Sequence, residues 1–423
     1  MKKVWIGFIG GLCLSGVLLL QGCTQADTSP PEGMKETLTL MTISNGGQEV
    51  LKEAVEEFNA SNTFDVEIAC EEYSMEDFKA TLARKMAANE EPDLFFSWQA
   101  GFLKAYVDKG KVLDLTSQIQ NDSSFSRQFQ EDDFVNVTFD GGIYAVPATK
   151  CISGVFYKKK LFEQYGLQVP ETYQEFLNVC EVFKQNGIVP INLDSTPWNA
   201  GQLFLQVMNS VCGRELETYE NLQNIPWTSD KLLKSAELLK DLYDMGYLPE
   251  DFLGTEGKAV AAEDTAMAVS GNWMAKWLSQ EGEPWGVFLL PPLQEENRGI
   301  AIGGSDRSFA VSRSCKNPEA ACSFLKELSS DKYQSKILYD EGTIPVVDIE
   351  ADRSRLSDLQ LECFDLYKTT DSFCLNMDVR FGPEFGDLFN ETAQAVIAGE
   401  DYREAMKGLE SYAKKQRTDE KGG

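Results

Sequence analysis

The sequence predicts an α/β protein whose helices cover both faces of a mainly parallel sheet, with enough chain for two domains. Three observations carry that prediction. Strand-like and helix-like stretches alternate from residue 37 onward, the order that builds parallel sheets through crossover helices. About 390 residues follow a short polar segment, too many for one ordinary core. No self-similarity at solenoid or propeller periods breaks the pattern.

Each element can be justified in turn. "TLTLMTIS" is a β-branched apolar run, and "NGGQEVLKEAVEEFNASN" places Val50, Leu51, Ala54, Val55 and Phe58 at helical spacing. "FDVEIAC" alternates as a half-buried strand does, "SMEDFKATLARKMAAN" is helical, and "PDLFFS" is a short buried strand. "AGFLKAYVDKG" reads as a helix ended by Gly110.

Ahead of these elements, Lys2 and Lys3 precede an uncharged run over residues 4–20, the layout of a secretory signal spanning 1–22. Leu20, Gln21, Gly22 and Cys23 resemble a bacterial lipobox, which makes Cys23 the expected lipid attachment point; an uncleaved helical anchor is the alternative. Residues 23–36 have the Ser, Thr, Pro and Gly content of a solvated tether. The expected location is therefore the extracytoplasmic face of the cell membrane.

Charge and composition remove several function classes. The formal net charge is −28, or −30 once Lys2 and Lys3 leave with the signal, so nucleic acid and anionic lipid surfaces are poor partners. The chain has no histidine, which excludes Ser-His-Asp and Cys-His catalysis and histidine-ligated metals. Carboxylate-only chemistry such as glycoside hydrolysis survives. No cofactor or metal is expected. Beyond Cys13 and Cys23, eight cysteines remain with no C-x-x-C spacing; mostly buried thiols are expected, with a pair such as Cys363 and Cys374 left open.

Ligands of open parallel sheets collect at the carboxyl ends of the strands. Ser44 and Asn45 follow the first strand there, and Trp98 and Gln99 follow the third. Trp98 is either a platform for the apolar face of a ring or a packed loop tryptophan.

The segment "PDLFFSWQAGFLKAYVDKGKVLDLT" and the stretch from "DGGIYAVPATKCISGVFYKKKLFEQYGLQVPETYQEF" onward resemble family 1 extracellular solute-binding proteins. These are the maltose-binding-protein-like sugar receptors of ABC importers. "AEDTAMAVSGNWMAKWL", "PWGVFLLPPL" and "GGSDRSFAVSRSCKNPEAACSFLKELSS" continue the likeness in the same order. The resemblance implies a two-lobed periplasmic-binding-protein-like fold, each lobe a mainly parallel sheet flanked by helices, joined by a multi-strand hinge. It places the crossings near 146–149, 299–302 and 343–346. Lobe one would comprise 37–147 plus 301–345, and lobe two 148–300 plus 346–423.

The same resemblance adds Trp198, Trp273, Asp306, Asp378 and Phe381 to Ser44, Asn45, Trp98 and Gln99 as cleft residues. A pyranose suits them, since its C–H face stacks on indole and its hydroxyls bond carboxylates and amides. Plainer readings stand beside these: Trp273 and Trp277 as a core pair four residues apart, and Asp306 and Asp378 as solvated or capping acids. Trp227 and Trp285 are left as packing. The implied function is a monomeric, lipid-anchored, non-enzymatic receptor that hands a mono- or oligosaccharide to an ABC permease. Alternatives are a surface-anchored glycoside hydrolase, or a receptor for another polar solute such as a glycerophosphodiester, for which Lys150, Arg307 and Arg380 are the basic residues at hand.

Overall fold

A computed structural model describes residues 35–44, 49–254 and 264–419. The signal segment, the tether as far as residue 34, Cys23 and Asn45 lie outside the described residues; the expected tether ends short of 36, because Glu36 already opens the first strand.

Among the described residues, fourteen strands follow in chain order: β1 (Glu36–Ile43), β2 (Val66–Tyr73), β3 (Leu94–Trp98), β4 (Thr138–Phe139), β5 (Gly142–Ile143), β6 (Val146–Pro147), β7 (Thr149–Lys158), β8 (Val189–Asn192), β9 (Thr265–Gly271), β10 (Trp285–Phe288), β11 (Ile300–Ser305), β12 (Arg307–Val311), β13 (Ile344–Pro345) and β14 (Ser372–Cys374). They form two main sheets. One is ordered β2-β1-β3-β12-β6, and the other β14-β11-β7-β9-β8, with β10 and β13 also paired to β7; β4 and β5 make a separate ribbon.

The first sheet arises as its sequence pattern requires. β1 is buried along most of its length and pairs in parallel with β2, Leu38 opposite Ile68, and with β3, Leu40 opposite Leu94. Helix Glu49–Ser61 buries Val50, Leu51, Ala54, Val55 and Phe58, the five positions that its spacing singled out. Helix Met75–Ala88 starts where the Ser74 side chain accepts from the Asp77 amide and stops at Asn89, whose φ is 57°. The second sheet has its own core, in which Phe176, Phe183 and Phe204 are fully buried and Trp227 is 0 % exposed. Trp227 and Trp285 are packing residues, as expected.

The two-lobed α/β architecture is present, but the sheets are mixed rather than mainly parallel. In the first, β12 runs against both β3 and β6; in the second, β7 runs against β9, β10, β11 and β13. The reason is topological. Strands that return through helices on their own sheet all run toward the junction between sheets, whereas a strand that enters from the other sheet starts at the junction and must run away from it. β7 and β12 are those entering strands.

The changes of sheet occur at single residues. Ala148 separates β6 from β7, and Asp306 separates β11 from β12. The second change therefore falls later than the expected 299–302, because β11 stays paired to β7 as far as Ser305 opposite Lys150. The third connecting segment carries β13, with Ile344 opposite Lys150. Backbone bonds tie the three together: Ala148 donates to Arg307 at 2.8 Å, Asp306 to Thr149 at 3.2 Å, and Val346 to Ala148 at 3.3 Å.

All eight cysteines of the described residues are free, Cys363 and Cys374 included, and seven are buried. Cys363 packs in a small cluster with Trp285 and Leu359, and Cys374 in the large core of the second sheet, so each serves as a small apolar side chain. Among the described residues, no helix is long and apolar enough to cross a membrane.

Candidate functional site

The carboxyl ends of β1 and β3 face the junction between the sheets, as the strand order demands. Ser44 follows β1 directly, is exposed, and donates its amide to the Tyr73 carbonyl at 2.7 Å. At the end of β3, Trp98 and Gln99 diverge. The Trp98 indole is half-buried and held edge-to-face by Phe96 at 4.8 Å, Phe102 at 5.0 Å and Phe78 at 6.2 Å. Gln99 is 1 % exposed; its amide nitrogen donates to the Arg307 carbonyl at 3.4 Å, while its Oε1 finds no partner among the described residues.

Two of the predicted aromatics come together from the second sheet. Trp198 opens helix Pro197–Cys212, where Pro197 occupies a first-turn position that needs no amide donor. Trp273 sits in the 3-10 turn Asn272–Met274 after β9. Their rings lie 6.0 Å apart at 57°. Gly271 makes room for the second: a Cβ there would fall 2.1 Å from the Trp273 indole. Asn272 fixes the turn by accepting the Ile152 amide at 2.9 Å. The ring partner of Trp273 is thus Trp198, while Trp277 is 37 % exposed.

The two predicted acids are enclosed rather than solvated. Asp306 accepts from the Thr149 hydroxyl at 3.0 Å and lies 3.8 Å from the Arg307 guanidinium; burial pushes its carboxyl up, with Arg307 and Thr149 opposing. Asp378 is 9 % exposed, takes the Val379 amide at 2.9 Å, and lies 3.6 Å from Lys79 Nζ. Phe381, at the end of the same helix (Met377–Phe381), meets Phe385 edge-on at 5.8 Å and carries the Arg380 guanidinium at 5.2 Å.

Helix Met377–Phe381 packs against helix Ala100–Val107, which follows β3. Gly101 allows it: a Cβ there would lie 2.4 Å from the Arg380 carbonyl oxygen. This contact divides the space between the sheets. On one side a cavity of about 560 Å³ is lined by Gln99, Asn136, Thr149, Lys150 and Ser305. On the other a groove of about 1200 Å³ is lined by Lys79, Trp198, Phe381 and Asp387.

Three functional-looking residues escaped the sequence reading. Lys79 lies 5.4 Å from the Trp98 ring centroid and also reaches Asp378. Asp387 lines the same groove, and burial raises its carboxyl against the pull of Lys79. Glu341 ends a π-helical turn (Ile337–Glu341), 3.3 Å from Arg307, with its carboxyl pushed by burial up to about 7 while Arg307 opposes. Each is one acid or lysine among many, and only the tertiary fold selects it.

The basic residues that a phosphate ligand would need are already engaged. Lys150 pairs with Asp133 at 2.8 Å, and Arg307 with Glu341. Arg380 donates to the carbonyls of Leu216 at 2.5 Å, Glu217 at 3.0 Å and Tyr219 at 2.5 Å. The geometry offers indole surface, amide and carboxylate acceptors, and no free basic cluster among these residues.

Comparison with known proteins identifies the family and the fold. Residues 53–355 match the sequence model of a family described as "Bacterial extracellular solute-binding protein". The chain is 25 % identical over 363 residues to the "Multiple sugar-binding protein" of Streptococcus mutans, covering 81 % of this chain and 82 % of the relative. Among solved structures, a "Chitin oligosaccharide binding protein" superposes with a TM-score of 0.83 at 21 % identity, covering 90 % of this chain and 99 % of the other. A second, from work on xylan utilisation by Caldanaerobius polysaccharolyticus, superposes with a TM-score of 0.81 at 22 % identity over 89 % and 99 %.

Proposed function

The chain belongs to the bacterial extracellular solute-binding protein family, and from that premise we propose that it is the receptor subunit of an ABC importer, capturing a sugar or oligosaccharide between its two lobes. In this reading lobe one comprises residues 37–147 and 307–343, and lobe two residues 148–305 and those from 344 onward; the return point moves from 301 because β11 stays in the second sheet, and the last crossing moves from 345 because β13 pairs with β7 there. Cys23 carries the lipid that holds the receptor at the extracytoplasmic face, and the protein works as a monomer without catalysis of its own.

The observation that carries the sugar reading is the tryptophan pair Trp198 and Trp273, 6.0 Å apart. Trp198 lines the groove that also holds Phe381, Lys79 and Asp387. Flat indole surface beside carboxylates and amides, with the nearby basic groups internally paired, matches a neutral polyhydroxylated ring. Ser44, Asn45, Trp98, Gln99, Asp306, Asp378 and Phe381 complete the proposed contact set. A ligand that touches both lobes favours the arrangement in which they approach, so that the permease reads a shape.

A thermal-shift screen over mono- and oligosaccharides tests this. A cognate sugar is expected to raise Tm in the wild type and to emerge chemically unchanged, with the shift lost in Trp198→Ala and Trp273→Ala. Turnover of the sugar, or full shifts in both variants, defeats the reading.

A further inference from the structure

One cation serves two lobes. Lys79 belongs to helix Met75–Ala88, which packs on the first sheet; its ammonium lies 5.4 Å from the centroid of the Trp98 ring and 3.6 Å from Asp378 Oδ2, which belongs to a helix of the second lobe. The lysine side chain is only 20 % exposed and that of Asp378 12 %, so the pair is shielded from full solvent screening. Asp387 completes the negative surroundings of the ammonium from helix Pro383–Ile397.

We propose that Lys79 is an interlobe latch that covers the stacking surface of Trp98 and must be displaced by the ligand. This rests on the sugar-receptor reading of the same groove. The physical basis is competition for one surface. An ammonium over an indole and a sugar C–H face on that indole exclude each other, and the ammonium is additionally held by Asp378. A neutral ring that stacks on Trp98 therefore releases Lys79 from both partners, and with them a charged tie between the lobes. The bound ring then bridges the two lobes in place of Lys79, so that the tie between them passes from a side chain to the ligand. The latch also acts as a specificity filter, because a ligand that stacks weakly cannot displace it.

The test uses the mature protein, with Lys79→Met, which keeps most of the unbranched side chain and removes its charge, and Asp378→Asn, which cuts the tie from the other lobe. Paired distance labels, one per lobe, are read on ligand-free protein at about 20 and 500 mM salt. The wild type is expected to show a longer interlobe distance at high salt, and both variants the longer distance at low salt. Titration with the sugar found by thermal shift should give affinity on the order of threefold to tenfold tighter for Lys79→Met, with little salt dependence left. Unchanged distances in both variants, or weaker sugar binding by Lys79→Met with unchanged distances, overturn the latch. If no sugar binds the wild type, the receptor reading fails, and the distance measurement still decides the latch.

Discussion

At the scale of single residues, the buried acid Glu341 gives the most direct handle on pH. Its ordinary pKa lies near 4.5 and burial raises it to about 7, with Arg307 at 3.3 Å opposing. A carboxyl whose folded pKa lies above its unfolded value favours the folded state while protonated. Its contribution is therefore fully present below about pH 4.5 and is lost as pH rises through 7. The span corresponds to a loss on the order of 3 kcal/mol. Comparing thermal unfolding of the wild type and Glu341→Gln from pH 5 to 8 isolates it: the variant should gain Tm relative to the wild type as pH rises. Parallel curves for the two proteins would show that Glu341 does not titrate in this range. Nothing in "YDEGT" marks Glu341 in advance, because the groups that act on its carboxyl, the Arg307 guanidinium of β12 and the Val50 backbone of helix Glu49–Ser61, lie far from it in the chain.

At the scale of elements, the contact between helices Ala100–Val107 and Met377–Phe381 sets how near the lobes come. It depends on Gly101, where a Cβ would press on backbone atoms: 2.4 Å from the Arg380 carbonyl oxygen and 2.8 Å from the Gly382 nitrogen. A backbone cannot swing aside as a lysine end can, so Gly101→Ala must push the helices apart. Overpacking of this kind costs about 1–3 kcal/mol. The expected result is roughly tenfold weaker sugar binding in a calorimetric titration, with the far-UV spectrum of the folded protein retained. Undiminished affinity in that variant would place the ligand away from this contact. Helix Ala100–Val107 was legible from its apolar spacing, although it ends three residues before Gly110, which takes a left-handed φ of 67° beyond it. Its partner, which starts 277 residues later, was not legible, since a five-residue helix has too few positions to display a period.

At the scale of the molecule, three short connections carry the chain between two separately cored sheets, and they bond to one another through Ala148, Asp306, Thr149 and Val346. Joints of a few terminal residues can absorb rotation while the cores stay rigid. Solution scattering of Lys79→Met, which lacks the charged tie of the ligand-free protein, should therefore record a smaller radius of gyration with the cognate sugar than without it, and no change with a non-binding sugar. An identical profile under saturating ligand would rule out closure as the signal.

Consecutive residues were enough to specify the elements and the class. Apolar spacing chose the face of helix Glu49–Ser61, a β-branched run chose β1, a short buried apolar run chose β3, and colinear motifs chose the two-lobed plan. These are local properties, written in consecutive residues. Strand direction at the junction, the pairing of Trp198 with Trp273 across 75 residues, and the sharing of Lys79 between Trp98 and Asp378 were decided only by tertiary structure. Each depends on which surfaces meet once both cores are packed, and proximity between residues far apart in the chain leaves no periodicity in one sequence.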